Sequence, residues 1–191
     1  MLPIAAIPAV VELESLKFAR AALSTSNVGI VTSEADTAMR ADVARSTFDV
    51  DGSGVTVGVL SNNFDKLGDA DDDVASGDLP GTGNPLGNTT PVNVLEDFLG
   101  GEITNSTDEG RAMLQLVHDV APGADLTFHT AIGGQANFAN GITELAATGS
   151  NVIVDDIIYF AEPMFQDGII AQAVDQVVAD GASYFSSAGN N

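Results

Sequence analysis

The chain has 191 residues, which fits one domain of ordinary size, and 45% of them are apolar, so a sizeable core can form. Its 6 basic and 27 acidic residues give a formal charge of −21, which repels phosphate backbones and anionic lipid headgroups and excludes nucleic acid and membrane surfaces as expected partners. The absence of cysteine excludes disulfides, thiolate metal ligands and a cysteine nucleophile.

The N-terminal segment, residues 1–27, is predicted to be a leader or peripheral helix ahead of a domain at residues 28–191. Residues 1–11 are apolar but lack a basic start and are followed by acidic residues, so they match neither a secretory signal nor a membrane span. The apolar spacing in residues 11–23 predicts a short amphipathic helix.

From residue 34 onward, helix-like and strand-like patterns alternate. The predicted helices are 34–48, 109–120, 136–147 and 166–180. The predicted strands are 55–60, 92–95, 126–131, 151–158 and 182–187. Residues 62–90 are rich in Gly, Asp, Asn and Pro, which predicts a long loop. The alternation predicts an α/β fold in three layers, with a mostly parallel sheet and helices on both faces.

Glycines near the first strand do not support a dinucleotide site. Gly52, Gly54 and Gly58 precede or enter strand 55–60, whereas a phosphate cradle needs its glycines after the strand, at the start of a helix. We therefore interpret these glycines as tight turns and strand positions.

Acidic residues offer one weak metal site. A calcium-loop pattern begins at Asp49 but has Leu60 at its twelfth position, where an acid is required, so that match fails. A second group of acids lies in the predicted loop: Asp69, Asp71, Asp72, Asp73 and Asp78. Charge runs usually face water, so we expect no cofactor. The alternative is Ca²⁺ at Asp69, Asp71, Asp72 and Asp73.

The two histidines have no metal-type spacing, and structural roles are expected for both. His118 lies near the end of helix 109–120, where a cation is favourable. It follows Glu109 by nine residues, which places the two on opposite sides of the helix. His129 lies in an apolar strand and is expected in the core or at an edge.

Several segments occur in a recognisable order. Strand 55–60 ends in Ser61-Asn-Asn-Phe-Asp65, and the next helix opens with Thr107-Asp-Glu-Gly-Arg-Ala-Met113. Ala121-Pro-Gly-Ala124 follows that helix, then Asn151-Val-Ile-Val-Asp-Asp156, then Tyr184-Phe-Ser-Ser-Ala-Gly-Asn190. Over about residues 30–191 this order resembles the subtilase superfamily of serine peptidases, the subtilisins and sedolisins.

The resemblance implies roles for individual residues. Glu109 corresponds to the base position, where subtilisins have His and sedolisins have Glu. Asn62 stands at the end of the strand that carries the family's catalytic acid. Asn190 corresponds to the oxyanion-hole Asn of subtilisins, and Asp156 lies in the strand that lines the substrate cleft. Asp156 is also a possible second carboxylate for Glu109.

The chain departs from the family at the acid position. Neither Ser61 nor Asn62 can ionise as an acid, and the nearest carboxylate, Asp65, lies further along. Asn62 can orient Glu109 through a hydrogen bond but cannot share a proton with it. A lone Glu, with a pKa of about 4.3, is a weak base at neutral pH unless burial or a second carboxylate raises its pKa.

The family's nucleophile motif, Gly-Thr-Ser-x-Ala-x-Pro, has no match in this sequence. We therefore expect the N-terminal part of a peptidase domain, with a fold incomplete at its C-terminal end and no activity alone. The complete protein would hydrolyse peptide bonds through an acyl-enzyme. The expected partner is a polypeptide substrate or the missing C-terminal part, and the expected location is extracellular. The alternative is a non-catalytic binding or surface module on the same scaffold.

Overall fold

The computed structural model describes residues 32–100 and 107–188, so the predicted helix in residues 1–27 and Asn190 lie outside the described residues. The helices are α1 (Glu34–Ala38), α2 (Ala41–Phe48), α3 (Ala70–Ser76), α4 (Glu109–Val120), α5 (Gln135–Ala147) and α6 (Ile169–Ala179). The strands are β1 (Thr56–Ser61), β2 (Asn93–Glu96), β3 (Asp125–Thr130), β4 (Val152–Asp155) and β5 (Ser183–Ser186). Within these ranges, no helix combines the length and the apolar character needed to cross a membrane.

The five strands form one sheet in the order β2-β3-β1-β4-β5, and every pairing is parallel. In the register of the central strand, Leu60 lies opposite both His129 and Asp155, and Ser61 lies opposite Thr130. The carboxyl ends of the strands therefore meet at one edge of the sheet. The predicted α/β class with a parallel sheet is confirmed.

Helices cover the two faces of the sheet with separate apolar cores. On one face, Leu114 of α4 packs in a cluster with Phe128 of β3. On the other face, Ile142 of α5 and Val177 of α6 pack in a cluster with Ile153 of β4. A fully buried side chain of this size contributes about 1.5–3 kcal/mol. The three-layer arrangement thus follows from apolar residues on both sides of the strands.

The predicted helix 34–48 is wrong as one continuous element, because the chain turns at Arg40, whose φ is 60°. The turn brings the Arg45 guanidinium onto the Asp36 carboxylate, at 2.6 and 2.9 Å. The same guanidinium donates to the carbonyl oxygens of Asp119 and Val120 at the end of α4. The two short helices therefore cap the C-terminal end of α4.

The predicted loop 62–90 contains a helix, α3, that composition alone did not indicate. Its first turn carries Asp71, Asp72 and Asp73. Acidic side chains in a first turn are stabilised by the helix dipole, so a run of aspartates is compatible with a helix at this position. The predicted strand 151–158 is also shorter than expected, because β4 ends at Asp155.

Candidate active site

The end of β1 and the start of α4 are joined at the carboxyl edge of the sheet. Oδ1 of Asn62 accepts a hydrogen bond from the backbone N–H of Glu109 over 3.0 Å. Nδ2 of Asn62 donates to Oγ1 of Thr107 over 2.7 Å. Asn62 therefore satisfies one of the helix's first N–H groups, as a capping side chain does.

This geometry refines the predicted link between Asn62 and Glu109. The hydrogen bond reaches the backbone of Glu109, so Asn62 positions the first residue of the helix and leaves the carboxylate uncapped. Asp108, which precedes the helix with a φ of 46°, makes no capping bond with its side chain. The start of α4 is therefore capped by the side chain of Asn62, which lies 47 positions before Glu109, and not by its own flanking residue.

A buried threonine holds Asn62 in place. Thr130, at the end of β3, is fully buried, and its Oγ1 donates to the carbonyl oxygen of Asn62 over 2.6 Å. The same Oγ1 accepts from the backbone N–H of Ile132 over 3.1 Å. No sequence motif indicates Thr130, whose only signal in the sequence is that it is a polar residue near the end of an apolar strand.

Asp156 lies close enough to Glu109 for their charges to interact. Burial is the main cause of a raised pKa for the Asp156 carboxyl group. The nearby Ser61 hydroxyl lowers this pKa, whereas the charges of Glu109 and Asp155 raise it. Ser61 Oγ and Asp156 Oδ1 are buried without a hydrogen-bond partner of normal geometry among the described residues.

Glu109 and Asp156 are two carboxylates of like charge. Like charges in one site oppose simultaneous ionisation, so a neighbouring carboxylate favours retention of a proton. In this structure the raised pKa belongs to Asp156. In Glu109 and Asp156 the edge of the sheet therefore carries groups capable of general acid and base chemistry.

Gly110, the second residue of α4, allows the helix to approach the sheet. A Cβ at this position would overlap the ring of Phe128 and come within 2.8 Å of the carbonyl oxygen of Asn63. Because glycine has no Cβ, the helix start can lie against the end of β1. The glycine that follows Glu109 therefore has a packing requirement.

The loop after β1 is held by a largely buried arginine, Arg111, whose side chain is 11% exposed. Nη1 of Arg111 donates to Asp65 Oδ1 at 2.9 Å and to Asp108 Oδ2 at 2.8 Å. The same nitrogen donates to the carbonyl oxygen of Phe64, and Nε lies 2.8 Å from Asp73. Asp65, the nearest carboxylate to the end of β1 along the chain, is therefore paired with Arg111.

Two carboxylates accept hydrogen bonds from the backbone N–H groups of the same loop. Asp97 accepts from Phe64 and Asp65 over 2.9 and 3.0 Å. Asp108 accepts from Lys66 and Leu67, both over 3.0 Å. Residues 64–67 thus receive side-chain acceptors from two separate segments, which fixes the chain immediately after the candidate site.

The aspartates proposed as calcium ligands lie on or beside α3. Asp69 immediately precedes the helix, Asp71 and Asp72 lie in its first turn, and Asp73 pairs with Arg111. Burial is the main cause of the raised pKa of Asp73, and Arg111 opposes that shift. Within residues 32–100 and 107–188, no group of three or more His, Asp or Glu side chains is arranged to hold a metal ion.

Both histidines are buried side chains with polar neighbours. His118 is buried with Nε2 at 3.4 Å from Nδ2 of Asn88, and burial lowers its pKa. His129 is buried with Nδ1 at 2.7 Å from the carbonyl oxygen of Thr130. Its Nε2 lies 3.3 Å from Glu144 and 3.4 Å from Glu96. Both histidines are packed side chains, as expected from the sequence.

Comparison with known proteins identifies no family. No protein-family model matches the chain, and no curated protein matches it. Among solved structures, the chain is similar to the crystal structure of MycP1 with the N-terminal propeptide removed, at 14% sequence identity and a TM-score of 0.48. The match covers 82% of this chain and 49% of that one, so this chain spans about half its length.

Proposed function

We propose that the chain is the N-terminal part of a subtilase-like serine endopeptidase domain in which Glu109 is the general base. The proposal rests on the sequence landmarks at the carboxyl edge of the sheet. The observation that carries it is the 3.0 Å hydrogen bond from the backbone N–H of Glu109 to Asn62 Oδ1, which holds Glu109 at the end of β1. The raised pKa of Asp156, to which the Glu109 charge contributes, supports it. A second carboxylate is what a glutamate needs in order to act as a base at mildly acidic or neutral pH.

In the proposed reaction, a serine Oγ attacks the carbonyl carbon of the scissile peptide bond as Glu109 accepts the serine proton. Collapse of the tetrahedral intermediate breaks the C–N bond, and the departing amine takes the proton from Glu109. Water then hydrolyses the acyl-enzyme by the same proton exchange. Asp156 would share the proton with Glu109, and the amide of Asn190 would donate to the oxyanion.

The nucleophile is proposed to come from a segment that this sequence does not contain. Ser61 lies beside Asp156, but it is fully buried at the end of β1. The family's nucleophile motif is absent from the 191 residues. We therefore expect a fluorophosphonate probe to leave this chain unlabelled. Labelling of the chain would contradict the proposal.

A pH–rate profile of a longer protein that includes the downstream segment tests the role of Glu109. We expect Glu109→Gln to abolish peptide hydrolysis, and Asp156→Asn to move the acid side of the profile. Glu34→Gln, which changes an exposed glutamate on α1, is the matched control and should leave the profile unchanged. Unchanged activity in Glu109→Gln would exclude Glu109 as the base.

A non-catalytic binding module on the same scaffold is the second candidate. The observation that favours it is Asn62, whose amide caps α4 where the family has an ionisable acid. In that case the longer protein would also resist fluorophosphonate labelling while still binding polypeptide. The acidic composition and the resemblance support an extracellular location for either candidate.

A further inference from the structure

A cavity of about 470 Å³ opens at the carboxyl edge of the sheet, beside the candidate active site. It lies between the ends of β4 and β5, the loop that follows β4, and α6. Asp155 lines this cavity, whereas its neighbour Asp156 interacts with Glu109. Consecutive residues of an extended chain point to opposite sides, so the last residue of β4 and the residue after it face two separate sites.

The walls of the cavity are mainly apolar. Side chains from α5, α6 and the loop after β4 contribute them: Phe138, Ile157, Tyr159, Ile170 and Val174. The volume is in the range of about 300–1,000 Å³ that small-ligand pockets occupy. These walls suit a hydrocarbon chain and offer little to a fully hydrated ion.

Asp155 places a buried carboxylate against these apolar walls. Its side chain accepts hydrogen bonds from Tyr184 Oη over 2.6 Å and from Ser186 Oγ over 3.0 Å. Both donors are neutral, and no Lys, Arg or His of the described chain lines the cavity. Each carboxylate oxygen has two lone pairs, so both oxygens can accept a further hydrogen bond.

The other two acids of the lining have different surroundings. Glu162 accepts from the backbone N–H groups of Ile170 and Ala171, both over 3.1 Å, and from Nε2 of Gln135. Its charge is therefore stabilised by the start of α6. Asp175 lies exposed on α6. Burial raises the pKa of the Asp155 carboxyl group, whereas hydrogen bonds from Tyr184, Ser186 and the Ile157 backbone lower it. Asp155 is thus the buried carboxyl group of the lining that faces only neutral donors, and a cation beside it would favour its ionised form.

We propose that this cavity binds the side chain of a lysine or arginine from a polypeptide, with the aliphatic stem against the apolar walls and the cationic head at Asp155. A neutral apolar side chain would desolvate the Asp155 charge without pairing it, which is costly. A carboxylate would be repelled. An amphipathic cation satisfies both the apolar walls and the carboxylate.

The loop that forms one wall offers further apolar surface for such a polypeptide. Phe160, Met164 and Phe165 in this loop are 81%, 89% and 99% exposed. A cluster of exposed apolar side chains is typical of an interaction surface. Residues that flank the bound lysine or arginine can pack there. The inference depends on the proposed function only for the identification of the polypeptide as a substrate.

Binding of two isosteric probes to the 191-residue chain tests this proposal. The probes are Nα-acetyl-L-arginine methylamide and the neutral Nα-acetyl-L-citrulline methylamide, followed by NMR chemical-shift changes at Ile157, Tyr159 and Tyr184. We expect saturable binding of the arginine probe and about tenfold or more weaker binding of the citrulline probe. Equal affinity for both, or no binding of either, would overturn the proposal.

Asp155→Asn provides the second arm, because it keeps the side-chain shape and removes the charge. It should weaken the arginine probe about tenfold and leave the citrulline probe unchanged. Asp125 is the first residue of β3, at the amino edge of the sheet and away from the cavity. Asp125→Asn removes one exposed charge there and is the matched control. An equal loss of affinity in both variants would show that net charge alone causes the loss, and it would overturn the assignment of Asp155. Probe binding involves no bond cleavage, so its outcome is independent of the proposed peptidase activity.

Discussion

Asn62 Oδ1 and the backbone N–H of Glu109 are joined by a hydrogen bond of 3.0 Å, which connects the end of the central strand to the first residue of α4. The bond explains how an amide at the end of β1 is structurally required. It places the Glu109 backbone, and the side-chain carboxylate remains available to interact with Asp156. Asn62 is therefore a positioning residue in this structure.

Replacement of Asn62 by alanine is expected to destabilise the protein by about 1 kcal/mol, the usual loss for a removed helix cap. The free energy of unfolding from urea titration measures this effect. Asn140→Ala, at an exposed position of α5, is the matched control and should change stability by less than about 0.5 kcal/mol. Equal stability of both variants would show that the hydrogen bond to Glu109 contributes nothing.

Asp156→Asn is expected to stabilise the protein near neutral pH. Burial raises the pKa of Asp156, so the folded state binds its proton more tightly than the unfolded state, and ionisation at neutral pH costs stability. The gain should shrink as the pH falls through the raised pKa, and vanish below the unfolded value of about 3.9. Melting temperatures across this range measure it, with the exposed Asp167→Asn as control.

Removal of the Glu109 charge is expected to lower the pKa of Asp156. The negative charge of Glu109 is one cause of that raised pKa, so Glu109→Gln should favour the ionised form of Asp156. Carboxyl ¹³C NMR titration of Asp156 in both proteins gives the direction of the shift. Glu144→Gln, whose carboxylate faces His129, should leave the titration unchanged. An unchanged titration midpoint of Asp156 in Glu109→Gln would show that the two carboxylates do not interact.

The apolar periodicity was sufficient to predict the sheet. β1 is a run of apolar residues because both of its faces are covered, and the alternating helices imply parallel pairing. Helix α3 was missed because its acidic first turn has the composition of a solvated loop. Sequence composition does not report where a helix dipole will stabilise a charge.

The site was only partly predictable for a related reason. Motifs indicated Glu109 and Asp156 as candidates, but their proximity depends on how the chain folds, which no local pattern encodes. The partners of Arg111, namely Asp65, Asp73 and Asp108, lie up to 46 positions away in the chain. Thr130 and Asn62 are similarly distant. Long-range polar contacts of this kind leave no periodic signal in a single sequence.

Loss of the Arg111 charge is expected to be among the most damaging substitutions. Arg111→Met leaves the carboxylate of Asp108, which is 2% exposed, without its cation. Removal of one partner from a buried ion pair costs about 3–5 kcal/mol. Arg40→Met changes an exposed arginine at the α1–α2 turn and should cost less than about 0.5 kcal/mol. Urea unfolding of both variants tests this, and similar costs would exclude a structural role for the Arg111 network.

Gly110→Ala separates helix propensity from packing in the first turn of α4. Propensity alone would make alanine more stable than glycine by about 1 kcal/mol. The added Cβ would instead overlap the ring of Phe128 and lie 2.8 Å from the carbonyl oxygen of Asn63, so we expect a loss of about 1–3 kcal/mol from overpacking. Ala112→Gly, at an exposed position of the same helix, should cost about 1 kcal/mol through propensity. Stabilisation by Gly110→Ala would show that α4 does not need a glycine to approach β1, and Glu109 would then be placed by Asn62 alone.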